Sequence, residues 1–167
     1  KRYPGVVALD DVSLDVIAGE VHALVGENGA GKSTLIKTCT GAITPDEGSI
    51  IIQGQEFASL TPKLSESVGV GVIYQEFNLV DELSVAENVF LGRAPRKGIL
   101  IDRRKMESEA AKIFQQFDIE IDPAALVGTL SVGYQQLVEI AKAMSQNARL
   151  LIMDEPCQGL DLECRRR

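Results

Sequence analysis

The sequence has 167 residues, of which 45% are hydrophobic and 25% charged, and its formal net charge is −7. This length and composition allow one globular domain, and they exclude two domains of ordinary size as well as a disordered chain. An acidic surface repels polyanions, so we expect no nucleic acid among the partners. Basic residues cluster only locally, within 93–105 and at 165–167, and the overall acidity favours a solvated surface for them. No apolar run approaches the roughly 18 residues of a membrane span.

The first half of the chain predicts strands separated by turns, with one helix between them. Alternating apolar residues predict a half-buried strand at 12–16, and a mostly apolar strand follows at 21–25. A glycine-rich loop then leads into a helix from about Lys32 to Thr40, which Gly41 ends. Two further strands are predicted in this half, at 49–53 and 70–74.

The second half is mainly helical. Ser84 and Glu87 form a capping box that begins one helix. A second helix, with Asp102 as its N-cap, places on one face Met106, Ala110, Ile113, Phe114 and Phe117. A third begins at Ser131, and its predicted buried stripe is Leu137, Ile140, Ala141 and Met144. The apolar run 150–153 then suits a central parallel strand.

One loop carries a specific chemical signal. Residues 26–34 fit the pattern G-x-x-x-x-G-K-[ST], and they are Gly26, Glu27, Asn28, Gly29, Ala30, Gly31, Lys32, Ser33 and Thr34. Glycines let backbone N–H groups turn toward an anion, and the helix behind them adds its positive dipole end. In this pattern the lysine reaches the β- and γ-phosphates and the serine ligates Mg²⁺. The sequence therefore predicts a site for the phosphates of a nucleotide and for Mg²⁺.

A carboxylate for the metal follows the last predicted strand. Asp154 is placed to bind the Mg²⁺ sphere, as in other P-loop enzymes. Glu155 comes next and is predicted to act as the general base that polarises the attacking water.

The segment 130–136, Leu-Ser-Val-Gly-Tyr-Gln-Gln, resembles the signature motif of ATP-binding cassette proteins. Ser131 at a helix start, with Gly133 beside it, makes a second anion-binding helix terminus. The resemblance implies that Ser131 and Gly133 close over the γ-phosphate held by a partner cassette. It also implies that Gln75 is the Q-loop glutamine at the metal site, that Tyr3 stacks on adenine, and that 159–161 is the D-loop.

Further stretches are similar to the ribose, galactose and xylose importers, in particular 73–79, 83–93 and 138–143. Such proteins carry two cassettes in one polypeptide, and this chain resembles the first. The family fold is an α/β P-loop domain, with a RecA-like core of mixed sheet and an inserted helical subdomain, here at about 83–145 of 1–167. The implied partners are a second cassette, a membrane permease and, indirectly, a periplasmic sugar-binding protein. The implied location is peripheral, at the cytoplasmic face of the bacterial inner membrane.

The end of the sequence departs from the family pattern. A complete cassette continues past the D-loop with further strands and a switch histidine, so we expect a C-terminally incomplete domain that binds Mg²⁺–ATP and hydrolyses it slowly. Two alternatives stay open: a soluble ATP-binding cassette protein without a transport role, and a remnant that binds nucleotide without turnover.

Overall fold

The computed structural model describes residues 1–74, 78–146 and 148–154, and the chain divides into two units, 1–70 and 71 onward. The strands are β1 (Arg2–Tyr3), β2 (Val6–Val7), β3 (Ile50–Ile52), β4 (Gln55–Phe57), β5 (Val70–Ile73), β6 (Arg96–Lys97), β7 (Leu100–Ile101) and β8 (Leu150–Met153). The α-helices are α1 (Lys32–Cys39), α2 (Pro62–Ser67), α3 (Val85–Val89), α4 (Arg103–Gln115) and α5 (Val132–Met144), with a 3-10 turn at Val127–Thr129. Within the described residues, no helix is long and apolar enough to cross a membrane.

The first unit contains two antiparallel hairpins, β1–β2 and β3–β4, and the helices α1 and α2. Helix α1 ends one residue before its predicted end, and Gly41 follows it at φ +74°. A Cβ there would lie 2.5 Å from the carbonyl carbon of Thr61, so only glycine fits this crossing. The predicted strands 49–53 and 70–74 are confirmed as β3 and β5, with slightly shorter bounds.

The structure differs from the prediction at residues 12–16 and 21–25, neither of which forms a strand. Both segments are exposed, and Val21 is 99% exposed. A strand obtains its hydrogen bonds from a neighbouring strand, and none within the described residues pairs with either segment. Apolar alternation alone therefore does not fix a strand here.

In the second unit the helices α3, α4 and α5 enclose the hydrophobic core. The largest contributions come from Val85, Val89, Phe114, Val127 and Val138, all of which are buried. The predicted capping box is confirmed, because Ser84 Oγ accepts from the Glu87 N–H at 3.2 Å and Glu87 Oε2 accepts from the Ser84 N–H at 2.9 Å. The Ser84 N–H is also the largest cause of the lowered pKa of Glu87.

The predicted buried faces of two helices need correction. On α4, Phe117 lies beyond the helix end and is 45% exposed, whereas Met106, Ala110 and Phe114 are buried as predicted. On α5, Ala141 is buried but Met144 is exposed, and the other buried positions are Gln136, Val138, Glu139 and Ala143. A single helical stripe cannot hold these positions, so α5 packs on more than one side.

Strands β5 and β8 pair with each other. The Asp154 N–H donates to the Ile73 carbonyl at 2.9 Å, so both strands end at the same edge. A strand is confirmed at 150–153 with the predicted bounds, but within the described residues it pairs only with β5, so its predicted central position is not confirmed. The boundaries of the helical subdomain, at about 83 and 145, stay a prediction.

Asn88 is fully buried beside the core and ties the 80–84 loop to α3. Its Oδ1 accepts from the Val80 N–H at 2.8 Å, and its Nδ2 donates to the carbonyls of Val80, Leu83 and Ser84. We expect Asn88→Ala to lower the free energy of unfolding by about 2–3 kcal/mol, because buried backbone groups lose their partners. Urea denaturation measures this, with the exposed Gln116→Ala as the control. An unchanged midpoint for Asn88→Ala would show that water replaces the amide without cost.

Candidate nucleotide-binding site

The loop before α1 has the backbone that the glycine pattern predicts. Gly29 and Gly31 adopt φ +87° and +92°, a conformation that side chains disfavour. A Cβ on Gly31 would lie 3.2 Å from Leu9 Cδ2 and closer still to the Ala8 carbonyl oxygen. The loop therefore needs glycine at position 31 both for its backbone conformation and for space.

Helix α1 begins directly at Lys32, with Gly31 as its N-cap. Glycine has no side chain to satisfy the first N–H groups, and the first turn contains no acidic residue. Those N–H groups and the positive end of the helix dipole are thus available to an anion. This arrangement matches the phosphate site predicted from residues 26–34, with Ser33 exposed in the first turn.

The Lys32 ammonium lies against the same loop. Its Nζ donates to the Gly26 carbonyl at 2.6 Å and to the Glu27 carbonyl at 2.9 Å. These bonds fold the side chain back over the loop, so its positive charge stays beside the N–H groups of the first turn. A phosphate bound there would therefore meet both a point charge and backbone donors.

Tyr3 lies on the β1–β2 hairpin, and its side chain is partly exposed. The Lys1 Nζ is 5.6 Å from the ring centroid and also forms an ion pair with Asp46 at 2.6 Å. A second bond, from the Arg2 N–H to Asp46 Oδ2 at 2.7 Å, ties the hairpin to the 45–48 turn. The hydrogen bond from Lys1, and after it that from Arg2, lowers the pKa of Asp46. The contacts of Asp46 with the hairpin therefore weaken only in acid, where this carboxylate becomes protonated.

Asp154, one of the three residues predicted to bind the metal, lies at the β5–β8 edge, in the second unit. Asp154 follows the last residue of β8 and donates its N–H to the Ile73 carbonyl. Ile73 lies two residues before Gln75 in the sequence. Gln75 and Glu155 themselves fall outside the described residues, as does the 159–161 segment.

Helix α5 holds both backbone polar groups of Asn78. Glu139 Oε1 accepts from the Asn78 N–H at 2.7 Å, and Lys142 Nζ donates to the Asn78 carbonyl at 2.7 Å. The two side chains form an ion pair at 3.9 Å, and Glu139 is only 6% exposed. Sequence reasoning missed this pair, although two opposite charges three residues apart in the apolar run 137–144 were a signal.

Ser131 is the N-cap of α5, as predicted, and its exposed side chain makes no capping hydrogen bond within the described residues. The 3-10 turn before it is fixed by the Gly128 N–H, which donates to the Asp81 carbonyl at 3.1 Å. The first turn of α5 contains no acidic residue, so Ser131 and Gly133 form an open helix start suited to an anion.

The donor set fits Mg²⁺, a hard cation that keeps oxygen ligands and several waters. The residues predicted to hold it are Ser33, Gln75 and Asp154, which offer a hydroxyl, an amide and a carboxylate oxygen. Among the described residues no cluster of three His, Cys, Asp or Glu side chains forms a metal cage. A site completed by nucleotide phosphates is typical of Mg²⁺.

A glycine loop at a helix start and a carboxylate at a strand end define an α/β protein of the P-loop nucleotide-binding class. Residues 9–158 match the family described as ABC transporter. The chain belongs to this family.

Curated relatives agree with this assignment. The chain is 54% identical to the ribose import ATP-binding protein RbsA 1 of Streptomyces avermitilis over 98% of its residues. It is 50% identical to the putative ribose/galactose/methyl galactoside import ATP-binding protein 2 of Burkholderia cenocepacia over 96% of its residues. It spans only 31% and 32% of the length of these two relatives.

Solved structures show the same fold. An ATP-binding cassette of an ABC transporter superposes with a TM-score of 0.79 at 30% identity, covering 92% of this chain and 65% of the other. The dimeric post-hydrolysis state of a cassette bound to ADP and Pi gives a TM-score of 0.74 at 28% identity, covering 93% of this chain and 69% of the other. The predicted P-loop α/β fold is thereby confirmed.

The Asn78 contacts predict a local effect of substitution. Glu139→Ala removes the acceptor of the Asn78 N–H, so we expect the protection of this amide against hydrogen exchange to fall on the order of tenfold, about the value of one hydrogen bond. Exchange followed by NMR gives this number. The control is Glu109→Ala, which removes only the exposed ion pair with Lys105. Equal protection in both variants would contradict a fixing role for Glu139.

Proposed function

We propose that this chain is a Mg²⁺–ATP-binding cassette that works as part of the motor subunit of a bacterial sugar importer. The observation that carries the ATP assignment is the 26–34 loop, in which Lys32 lies at the uncapped start of α1. Sugar import is supported by relatives named for ribose and galactose import at 50–54% identity.

The phosphate chain is held from two directions in this proposal. Backbone N–H groups of the loop and of the first turn of α1 bind the phosphate oxygens. Lys32 exchanges its two carbonyl partners for the β- and γ-phosphates, which its charge neutralises. Tyr3 stacks its exposed ring face on the adenine.

Mg²⁺, when bound, neutralises charge that develops on the transferred phosphate. Ser33, Gln75 and Asp154 hold it, and Asp154 is fixed for this task by its backbone bond to Ile73. Glu155 follows directly in the sequence and accepts a proton from the attacking water.

Two cassettes complete each site in this proposal. Ser131 and Gly133 at the open start of α5 bind the γ-phosphate held by the other cassette, so closure depends on nucleotide. Support comes from the cassette solved as a dimer with ADP and Pi. A membrane permease is the partner on which closure acts, at the cytoplasmic face of the membrane, and a periplasmic sugar-binding protein delivers the substrate.

Lys32→Ala should abolish Mg²⁺–ATP binding, because the substitution removes the charge that neutralises two phosphates. A titration with fluorescent ATP measures the dissociation constant. Lys37→Ala, an exposed lysine one turn further along α1, is the matched control and should bind as the wild type does. Unchanged affinity in Lys32→Ala would overturn the phosphate site.

Tyr3→Ala should weaken ATP by roughly 1–3 kcal/mol, the usual value of a base stacked on an aromatic ring. Tyr3→Phe keeps the ring and should restore the affinity. The same titration distinguishes the two. An equal dissociation constant for Tyr3→Ala and wild type would leave the hairpin without a role in nucleotide binding.

The sugar assignment is tested separately, in cells. Replacing the chromosomal gene by its Lys32→Ala form should stop uptake of radiolabelled ribose or galactose while uptake of an unrelated amino acid continues. Normal uptake of both sugars would reject sugar import and leave ATP binding intact.

A further inference from the structure

The hairpin β6–β7 projects exposed apolar side chains. Its register pairs Lys97 with Leu100, so a two-residue turn, Gly98–Ile99, connects the strands. Gly98 has φ +64°, as the first position of a tight hairpin turn requires. Ile99 at the apex is 93% exposed, Leu100 is 70% exposed and Ile101 is 54% exposed.

Basic residues flank this apex in the sequence. Residues 96–105 contain five cations, Arg96, Lys97, Arg103, Arg104 and Lys105, against the single acid Asp102, and all five cations are exposed. Their net charge is +4 in a chain of −7, so the remaining residues carry −11. The segment 96–105 is therefore positively charged, whereas the rest of the protein is strongly acidic.

The position of three of these cations is unfavourable for folding. Arg103, Arg104 and Lys105 occupy the first turn of α4, which contains no acidic residue. The positive end of a helix dipole repels cations there, and acids would stabilise the helix instead. The N-cap Asp102, the 3.7 Å ion pair of Arg103 with Glu87 and the 3.8 Å ion pair of Lys105 with Glu109 offset only part of this cost, because exposed ion pairs contribute little. Stability alone does not account for the cluster.

We propose that the hairpin of residues 96–101, with the first turn of α4, contacts the surface of an anionic lipid bilayer. Exposed aliphatic residues flanked by arginine and lysine are the combination that binds such an interface, because the apolar groups enter the headgroup boundary while the cations meet lipid phosphates. Strands of two residues reach about 7 Å, comparable with the roughly 5–10 Å depth of this boundary.

Other polyanionic partners fit the hairpin less well. No aromatic residue lies in 93–105, so nothing there stacks on nucleic-acid bases. Three adjacent exposed aliphatics also add nothing to a contact with phosphates alone. This proposal stands on the surface chemistry of the hairpin and goes beyond the proposed transport function, since it needs neither ATP nor a permease.

Sedimentation with vesicles tests the contact on the 167-residue chain. We expect binding to equal parts of phosphatidylglycerol and phosphatidylcholine but not to phosphatidylcholine alone. Binding should be lost near 1 M salt, where the screening length falls to about 3 Å. The double variant Arg96→Gln, Lys97→Gln should lower the partition coefficient about 30-fold, and Ile99→Ser with Leu100→Ser roughly 100-fold or more if both side chains enter the bilayer.

The hairpin β3–β4 supplies a matched control. It has the same two-residue turn, Gln53–Gly54, and an isoleucine, Ile51, that is 66% exposed, but Glu56 lies opposite Ile51. Ile51→Ser and the exposed Lys63→Gln should bind vesicles as the wild type does. Binding that is independent of phosphatidylglycerol, or equal in wild type and both hairpin variants, would overturn the proposal. So would a preference for duplex DNA over the anionic vesicles.

A fluorescence measurement tests insertion directly. The chain contains no tryptophan, so Ile99→Trp adds a reporter at the apex. Its emission should shift to the blue with anionic vesicles and be quenched by brominated lipid, whereas Ile51→Trp should show neither effect. An Ile99→Trp spectrum that ignores the vesicles would contradict entry of the apex into the bilayer.

Discussion

Helix α5 is buried on two sides at once, and the second unit depends on this. One side supplies Val138 and Ala141 to the core that it shares with α3 and α4. Another side carries Glu139 and Ala143, and a Cβ on Gly71 would meet the Ala143 methyl group at 3.7 Å. A helix with two packed faces has no freedom to rotate about its axis. The packing of α5 therefore fixes the positions of both its first residues and its ion pair, Glu139 with Lys142.

Local chemistry made much of this structure predictable. The capping box at Ser84, the N-cap at Asp102 and the glycine after α1 each need only residues within four positions of one another, and all three occur as predicted. The phosphate loop is equally local, because its conformation rests on glycines and on the helix that follows. That is why the loop and the start of α1 could be predicted from the sequence, whereas the nucleotide-binding roles of their residues stay a prediction.

Features that depend on residues far apart in the sequence were predicted less well. The alternation at 12–16 and the apolar run at 21–25 specify a face but not a neighbour, and a strand is defined by its neighbour. The same limit applied to α5, where only Ala141 of the predicted stripe is fully buried and the structure buries Gln136 and Glu139, which the prediction left out. A buried polar residue needs a hydrogen-bond partner. The partner of Glu139 is Asn78, which lies 61 positions away in the sequence. The periodicity of apolar residues along a helix cannot predict a partner so far away.

Helix α5 connects two residues that are far apart in the sequence, Ser131 and Asn78. Ser131 begins the helix and Glu139 lies eight residues later, about 12 Å along the axis. Glu139 and Lys142 hold the residue that follows the Gln75 segment, while Ser131 presents an open helix start. Residues 132–144 contain no proline, a common cause of sharp kinks, so we expect α5 to move as a rigid body. A displacement of Ser131 is then expected to displace Asn78 as well, through the contacts of Glu139 and Lys142.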